Sequence, residues 1–407
     1  MEILFTPEQA GNKDITAEIV QAVDKLQQAG GGTLRFAAGT YPVGPFSLCS
    51  GMTLVLEKGA ILQFSDDPAR YPLVECQFEG RLEQRPAPCV SVRKAERVRI
   101  MGEGILDGGG AVWWRGHRSG TLPHGRPFLF HAEDCRDLQL EGVTFRNSPT
   151  RTIHPLRCTD VRICHVTVWN PADSPNTDGV DPESCRGVDI RDCTIDVGDD
   201  CIAIKAGNEG TRPQVPCEDI RIAGCRLLHG HGGVVIGSEM SGGVRNVRVE
   251  DCLFDGTDRG IRIKTRRRRG GLVDGVAARN LQMKNVLSPL VINMFYGCDP
   301  GPEEGYIWDT APYPRREDTP EIGNIQIQGL TAEGVTACAA FVWGLPESPV
   351  RSVRLQDCRI VLAPEQSKEP PAMIYGLKPL PDRKINVRNA DFCQENVVVE
   401  TESPRKG

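Results

Sequence analysis

From Val98 onward, apolar residues recur in a fixed local pattern: a marker position, the second residue after it and usually the fifth. The markers are Val98, Leu138, Val161, Val188, Ile220, Val247, Val276, Ile325 and Val353, and from Leu138 onward they are 23, 27, 32, 27, 29, 49 and 28 residues apart. Alternation with period two reads as strand. A strand signature that returns every 20–50 residues with no helix between reads as stacked coils of parallel strand. The expected fold class is therefore all-β, a single-domain parallel β-helix over residues 1–407, with a cap at about 1–50 and coils at about 51–400. One helix is expected, over residues 14–29, where Ile15, Ile19, Ala22, Val23 and Leu26 fall at helical spacing. Asp14 is its candidate N-cap, and Gly30, Gly31 and Gly32 stop it. Residues 33–36 and 53–56 read as the first strands, and further strands are expected near Ile385 and Val397. Three stretches break the pattern: 65–88, expected as a long surface loop, and the insertions 293–319 and 364–383.

Composition agrees with many short strands and turns: 44 glycines and 30 prolines accompany a hydrophobic share of only 39%. The sixteen cysteines do not suggest a disulfide framework, because half of them occupy slots of the repeat that other coils fill with Val, Leu or Ile. Three residues before the marker stand Cys135, Cys158, Cys185 and Cys217; five after it stand Cys193, Cys225, Cys252 and Cys358. Free interior thiols are expected. The ladder holds no histidine and the chain no Cys-x-x-Cys pair, so no metal site is expected. No apolar run of about 20 residues offers a membrane span. The start, MEILFTPEQAGNKD, has no basic or apolar leader, so a cytoplasmic location is expected.

Formal net charge is −6, yet residues 259–269 hold Arg259, Arg262, Lys264 and the run Arg266 to Arg269. A local basic patch on an acidic chain points to an anionic small ligand rather than nucleic acid, although a four-arginine run alone reads as a solvated face. Counted from the marker before each, Asp178 lies 17 residues on, Asp199 and Asp200 11 and 12, His231 11, Arg262 15 and His154 16. These residues are expected in one column outside the coils. Taken singly, Asp178 in Asn-Thr-Asp-Gly is ordinary turn chemistry and His231 between two glycines an exposed turn residue. Their coincidence in one column is what points to a site. Carboxylates on rungs about 4.8 Å apart could reach the separation of about 6.5–9.5 Å used by inverting glycosidases. In Arg-Ile-Lys, residues i and i+2 share a face, so Arg262 and Lys264 are expected to face outward and meet a carboxylate.

Four motifs in order, Asn176-Thr177-Asp178, Gly198-Asp199-Asp200-Cys201, Gly230-His231-Gly232 and Arg262-Ile263-Lys264, resemble those of glycoside hydrolase family 28, the polygalacturonases. The likeness spans nearly the whole chain. It implies a right-handed β-helix of the pectin-lyase-like kind and hydrolysis of α-1,4-galacturonosidic bonds with inversion, without metal or cofactor. By that resemblance Asp199 is the general acid, Asp178 and Asp200 hold and activate the water, and His231 supports the acid. Arg262 and Lys264 bind the uronate and Tyr296 helps form the same subsite, while His154, from its place in the column alone, is a further candidate substrate-binding residue. His231 is followed by one residue more than the family's commoner spacing. The expected partner is an anionic pectic oligosaccharide, with neither nucleic acid nor membrane. Exo action is expected if 65–88 and 293–319 close one end of the groove. Alternatives are a rhamnogalacturonan hydrolase of the same family, a Ca²⁺-using lyase, or a non-catalytic polysaccharide-binding β-helix.

Overall fold

The computed structural model describes residues 1–11, 13–297 and 304–402, so part of the 293–319 insertion, residues 298–303, lies outside the described residues. The chain divides into two compact units, Met1–Asp199 and Asp200–Gly407. Each is built from three ladders of parallel strands, so that the chain climbs one rung per coil; the fold is the right-handed parallel β-helix.

In the first unit the leading ladder includes Met52–Leu56, Glu96–Gly102, Arg136–Glu141, Thr159–Cys164 and Arg186–Arg191. Val98, Leu138, Val161 and Val188 are register partners along it, so the sequence markers are the rungs themselves. In the second unit Ile220, Val247, Val276, Ile325 and Val353 pair in the same way. Identical registers stack like on like: Leu140, Ile163 and Ile190 lie above one another, all fully buried. Each such side chain contributes about 1.5–3 kcal/mol of apolar burial. The cysteines join these interior stacks as free thiols among the described residues. The Cys158 amide donates to the Cys185 sulfur at 3.3 Å, and the Cys185 thiol donates to the Pro155 carbonyl at 3.2 Å.

The corners of the coil have a backbone signature. The residue before every marker is left-handed, with φ from 51° at Ser352 to 73° at Gly275. So is the fourth residue after it, from 52° at Asn280 to 118° at Gly102. These positions are filled mainly by Gly, Asp and Asn, the residues that tolerate this region most readily. A single left-handed residue thus turns each leading strand into the next one, such as Thr144–Arg146, Thr167–Trp169 and Thr194–Asp196. All variation in coil length falls elsewhere, mostly in the turns that lead to and from the third ladder.

The helix Thr16–Gln28 packs its buried face, Ile19, Ala22, Val23 and Leu26, against the first strands. Asp14 accepts a hydrogen bond from the Thr16 amide at 2.9 Å, and Gly31 N–H closes the far end on the Leu26 carbonyl. The 65–88 stretch is not an irregular loop. It contains an antiparallel hairpin, Leu73–Phe78 with Arg81–Pro86, outside the parallel ladders. Its burial runs against the apolar pattern, since Leu73 and Leu82 are exposed while Gln77 and Arg85 are buried, so no period-two apolar face marks it. No helix among the described residues is long and apolar enough to cross a membrane.

Candidate active site

Asp178, Asp199, Asp200 and His231 all fall in turns between second-ladder and third-ladder strands. The turn before Asp178 is fastened by its own side chains: the Ser174 and Thr177 hydroxyls lie 2.6 Å apart, and Asn176 takes φ 53°. Arg126, itself buried, donates to the Asn176 side chain at 2.6 Å and to the Pro149 and Pro175 carbonyls at 3.0 and 2.5 Å. The Asp178 carbonyl accepts from the Thr152 amide at 2.9 Å. Asn176 and Thr177 therefore shape the turn that presents Asp178.

Gly198 brings Asp199, in the corresponding turn of the next coil, against the Asp178 turn. A Cβ at Gly198 would lie 2.3 Å from the Ser174 carbonyl oxygen, so no larger residue fits without moving backbone. Carboxylate oxygens of Asp178 and Asp199 come within 4.8 Å of one another. Such a pair offers the hard oxygen donors that a divalent cation takes. Burial pulls the Arg126 pKa down to about 10, aided by Arg85 and opposed by Asp178 and Asp199.

In the second unit Asp200 is 1% exposed, with Lys264 Nζ 2.8 Å from one carboxylate oxygen and Arg262 Nη1 3.3 Å from the other. Burial would push its pKa up. Lys264, Arg262 and Lys205 outweigh burial and hold it well below the usual carboxylate range, so Asp200 is ionised. A side chain at Gly232 would meet Asp200 Oδ1 at 3.1 Å and Val235 Cγ2 at 2.4 Å, which explains the glycine after His231. His231 itself is exposed. Arg262 and Lys264 are buried, not spread on an outer face, and already share Asp200 as counter-ion. The Tyr296 ring centre lies 5.3 Å from Lys264 Nζ and 5.9 Å from the Arg262 guanidinium carbon.

Two expectations need correction. His154 does not stand in the outer column: its side chain is fully buried, with Nε2 2.9 Å from Glu183, Nδ1 3.1 Å from His131 Nδ1, and the Phe128 ring alongside. Counting residues from the marker gave its angular position but not which way the side chain points. Nor is the arginine run a solvated face. Arg266 and Arg269 bind Glu209, Arg267 binds Glu347, and only Arg268 of the four is exposed.

Sequence reasoning missed Arg126, Lys205 and Met373. Met373, in the 364–383 stretch, sets its sulfur 3.0 Å from Arg262 Nη2, and its carbonyl accepts from Gly297 N–H at 3.1 Å. Arg126 and Met373 lie in segments without repeat pattern, where nothing marks them. Lys205 could have been found, since it ends the strand that begins just after Asp200.

The model of the family described as glycosyl hydrolases family 28 matches residues 74–304. A Vitis vinifera protein named as a probable polygalacturonase is 31% identical over 87% of this chain and 72% of its own length. An endo-polygalacturonase of Pectobacterium carotovorum subsp. carotovorum is 31% identical over 70% of this chain and 73% of its own. The crystal structure of a hyperthermoactive exopolygalacturonase from Thermotoga maritima superposes with a TM-score of 0.79 at 27% identity, covering 98% of this chain and 92% of that one. The family match spans more than half of a chain whose four motifs stand in the family's order, and the chain belongs to glycosyl hydrolases family 28.

Proposed function

We propose that this glycoside hydrolase cleaves the α-1,4 bonds of pectic oligogalacturonate, from a chain end and with inversion. The observation that carries the reading is the buried cluster of Arg262 and Lys264 beside the Tyr296 ring, two cations against the single charge of Asp200, an excess suited to a sugar carboxylate. Asp199 donates its proton to the glycosidic oxygen as the C1–O bond breaks. A water held by Asp178 and Asp200 attacks C1 from the opposite face and gives up a proton to one of them. His231 orients the acid. The strong depression of the Asp200 pKa supports a water-holding carboxylate rather than an acid.

Exo action draws support from two contacts of the hairpin and from the 364–383 stretch. Gln77 donates to Glu183 at 2.6 Å and Arg85 to the Arg126 carbonyl at 3.0 Å, which ties the hairpin to the elements around the Asp178 turn. In the second unit Arg259 donates to the Pro371 and Pro370 carbonyls at 3.0 and 3.2 Å, which holds that stretch beside Arg262. The name of the Thermotoga relative points the same way.

Proton NMR of the first product decides the stereochemistry: β-galacturonate released from an α-linked oligomer means inversion, and α means retention. Monomer appearing from long polygalacturonate with little early fall in viscosity supports exo action; a rapid fall with mixed oligomers refutes it. Faster turnover of rhamnogalacturonan than of polygalacturonate would refute the substrate, and loss of activity in chelator would show that the aspartates need a cation.

A further inference from the structure

We propose that the second unit carries another acidic-sugar pocket, formed by Arg268, Tyr306 and Tyr313, distinct from the Arg262 and Lys264 pair. The cavity measures about 300 Å³ and is lined further by Arg267 and Glu347, its floor, and by Arg316 and Asp318, which pair with each other at 3.1 Å. That volume is at the lower end of the range for small-ligand sites, about 300–1,000 Å³.

The floor is saturated. Arg267 Nε and Nη2 hold the two Glu347 oxygens at 2.6 and 3.1 Å. Its remaining N–H groups go to the Tyr306, Asp309 and Ala311 carbonyls at 2.6, 2.7 and 3.0 Å. A guanidinium has five N–H donors, and all five are used, so Arg267 builds the pocket and has no donor left for a ligand. Arg268 differs from its neighbours. Its backbone is left-handed, with φ 64°, and it is exposed while Arg266, Arg267 and Arg269 are buried. Among the described residues it has no carboxylate partner; its guanidinium carbon sits 4.8 Å from the Tyr306 ring centre.

Tyr313 presents a ring whose position is fixed by Arg267 at 4.5 Å and by its hydroxyl donating to Asp309 at 3.0 Å. A fixed aromatic face suits the apolar face of a pyranose. A guanidinium with spare parallel donors suits the carboxylate on that ring. Together they select a hexuronate over a neutral hexose. Lys264 and Arg268 are four residues apart, so their α-carbons are separated by at most about 14 Å. A short uronate chain held at Lys264 could therefore reach Arg268. The choice of galacturonate as ligand rests on the proposed function; the preference for an acidic sugar does not.

The test uses the full chain carrying Asp199→Asn, titrated with galacturonate and with galactose and followed by ligand-observed NMR. Galacturonate is expected to bind at two classes of site, and galactose more weakly. Adding Arg268→Ala should weaken one class about tenfold or more, while Arg268→Lys recovers only part of it. Tyr313→Ala should weaken the same class. Unchanged binding in Arg268→Ala, or equal affinity for galactose, overturns the pocket. Failure of the parent chain to cleave any galacturonate polymer would instead overturn the proposed function, and the binding comparison would still decide on Arg268, which is exposed and not needed for folding.

Discussion

Replacing Asp200 by Asn separates two roles that the Asp-Asp motif combines. Both amides keep the shape of the carboxylate. Asp199 is only partly buried, so Asp199→Asn should change stability by no more than about 0.5 kcal/mol. As general acid it should still lower kcat by about 10²–10⁴-fold. Asp200 is different, because its charge is the counter-ion of two buried cations at 2.8 and 3.3 Å. Removing one partner of a buried ion pair costs about 3–5 kcal/mol. Since Asn still accepts one hydrogen bond, the lower end, about 3 kcal/mol, is expected. Adding Lys264→Met to Asp200→Asn removes one stranded cation and should recover part of that loss without restoring activity. The folded pKa of Asp200 lies below its unfolded value, so its contribution is present above about pH 4 and is lost as pH falls further. The stability gap between parent and Asp200→Asn should therefore narrow as pH falls below about 4 and close only below the folded pKa. Denaturant midpoints at pH 7 and pH 3 measure both effects. An Asp200→Asn chain as stable as the parent at pH 7 would refute the ion-pair argument.

Arg126→Met should raise the acid limb of the kcat/KM pH profile by about one unit, because a cation beside Asp178 and Asp199 favours their ionised forms; an unmoved limb would reduce Arg126 to a turn clamp. Gly198→Ala should lower stability by about 1–3 kcal/mol and activity at least tenfold, since the added methyl meets the Ser174 carbonyl; circular dichroism melts and rates check it together. Among the cysteines of the described residues, thiol titration of the native chain at pH 8 should label Cys393 first and Cys49 and Cys164 slowly. Burial pushes Cys76 and Cys338 up to about 11 and Cys89 up to about 12, and these should react only in denaturant.

The ladder was legible in the sequence because a parallel stack repeats one register. Val98, Leu138 and Val161 had to be interchangeable, and so did Cys193 and Leu281. The corners were legible too and went unread: Asp160, Asp219, Asn246 and Asn324 each precede a marker, and composition at that slot alone would have indicated left-handed backbone. The hairpin over 73–86 was not legible, because it belongs to no coil and its pairing is local. His154 shows the limit of counting along the chain. Its partners, Glu183 and His131, come from neighbouring coils, and only their packing turns the ring inward. The arginine run was misjudged for a related reason: its acids, Glu209 and Glu347, lie about 60 and 80 residues away in sequence.

The one-residue corners act as a phase lock. Because a leading strand always turns into its successor through a single left-handed residue, every coil starts its next strand at the same azimuth, whatever the coil's total length. Insertions can then enter only downstream, in the turns to and from the third ladder, where Asp178 and Asp199 stand in the first unit and Asp200 and His231 in the second. Within a unit, recognition can be lengthened along the stack only in whole coils, in increments of about 4.8 Å. A polymer with a regular repeat thus meets a surface graduated in fixed divisions. Re-engineering chain-length preference would mean adding or deleting an entire coil between two corners, while bond preference would be changed within one turn.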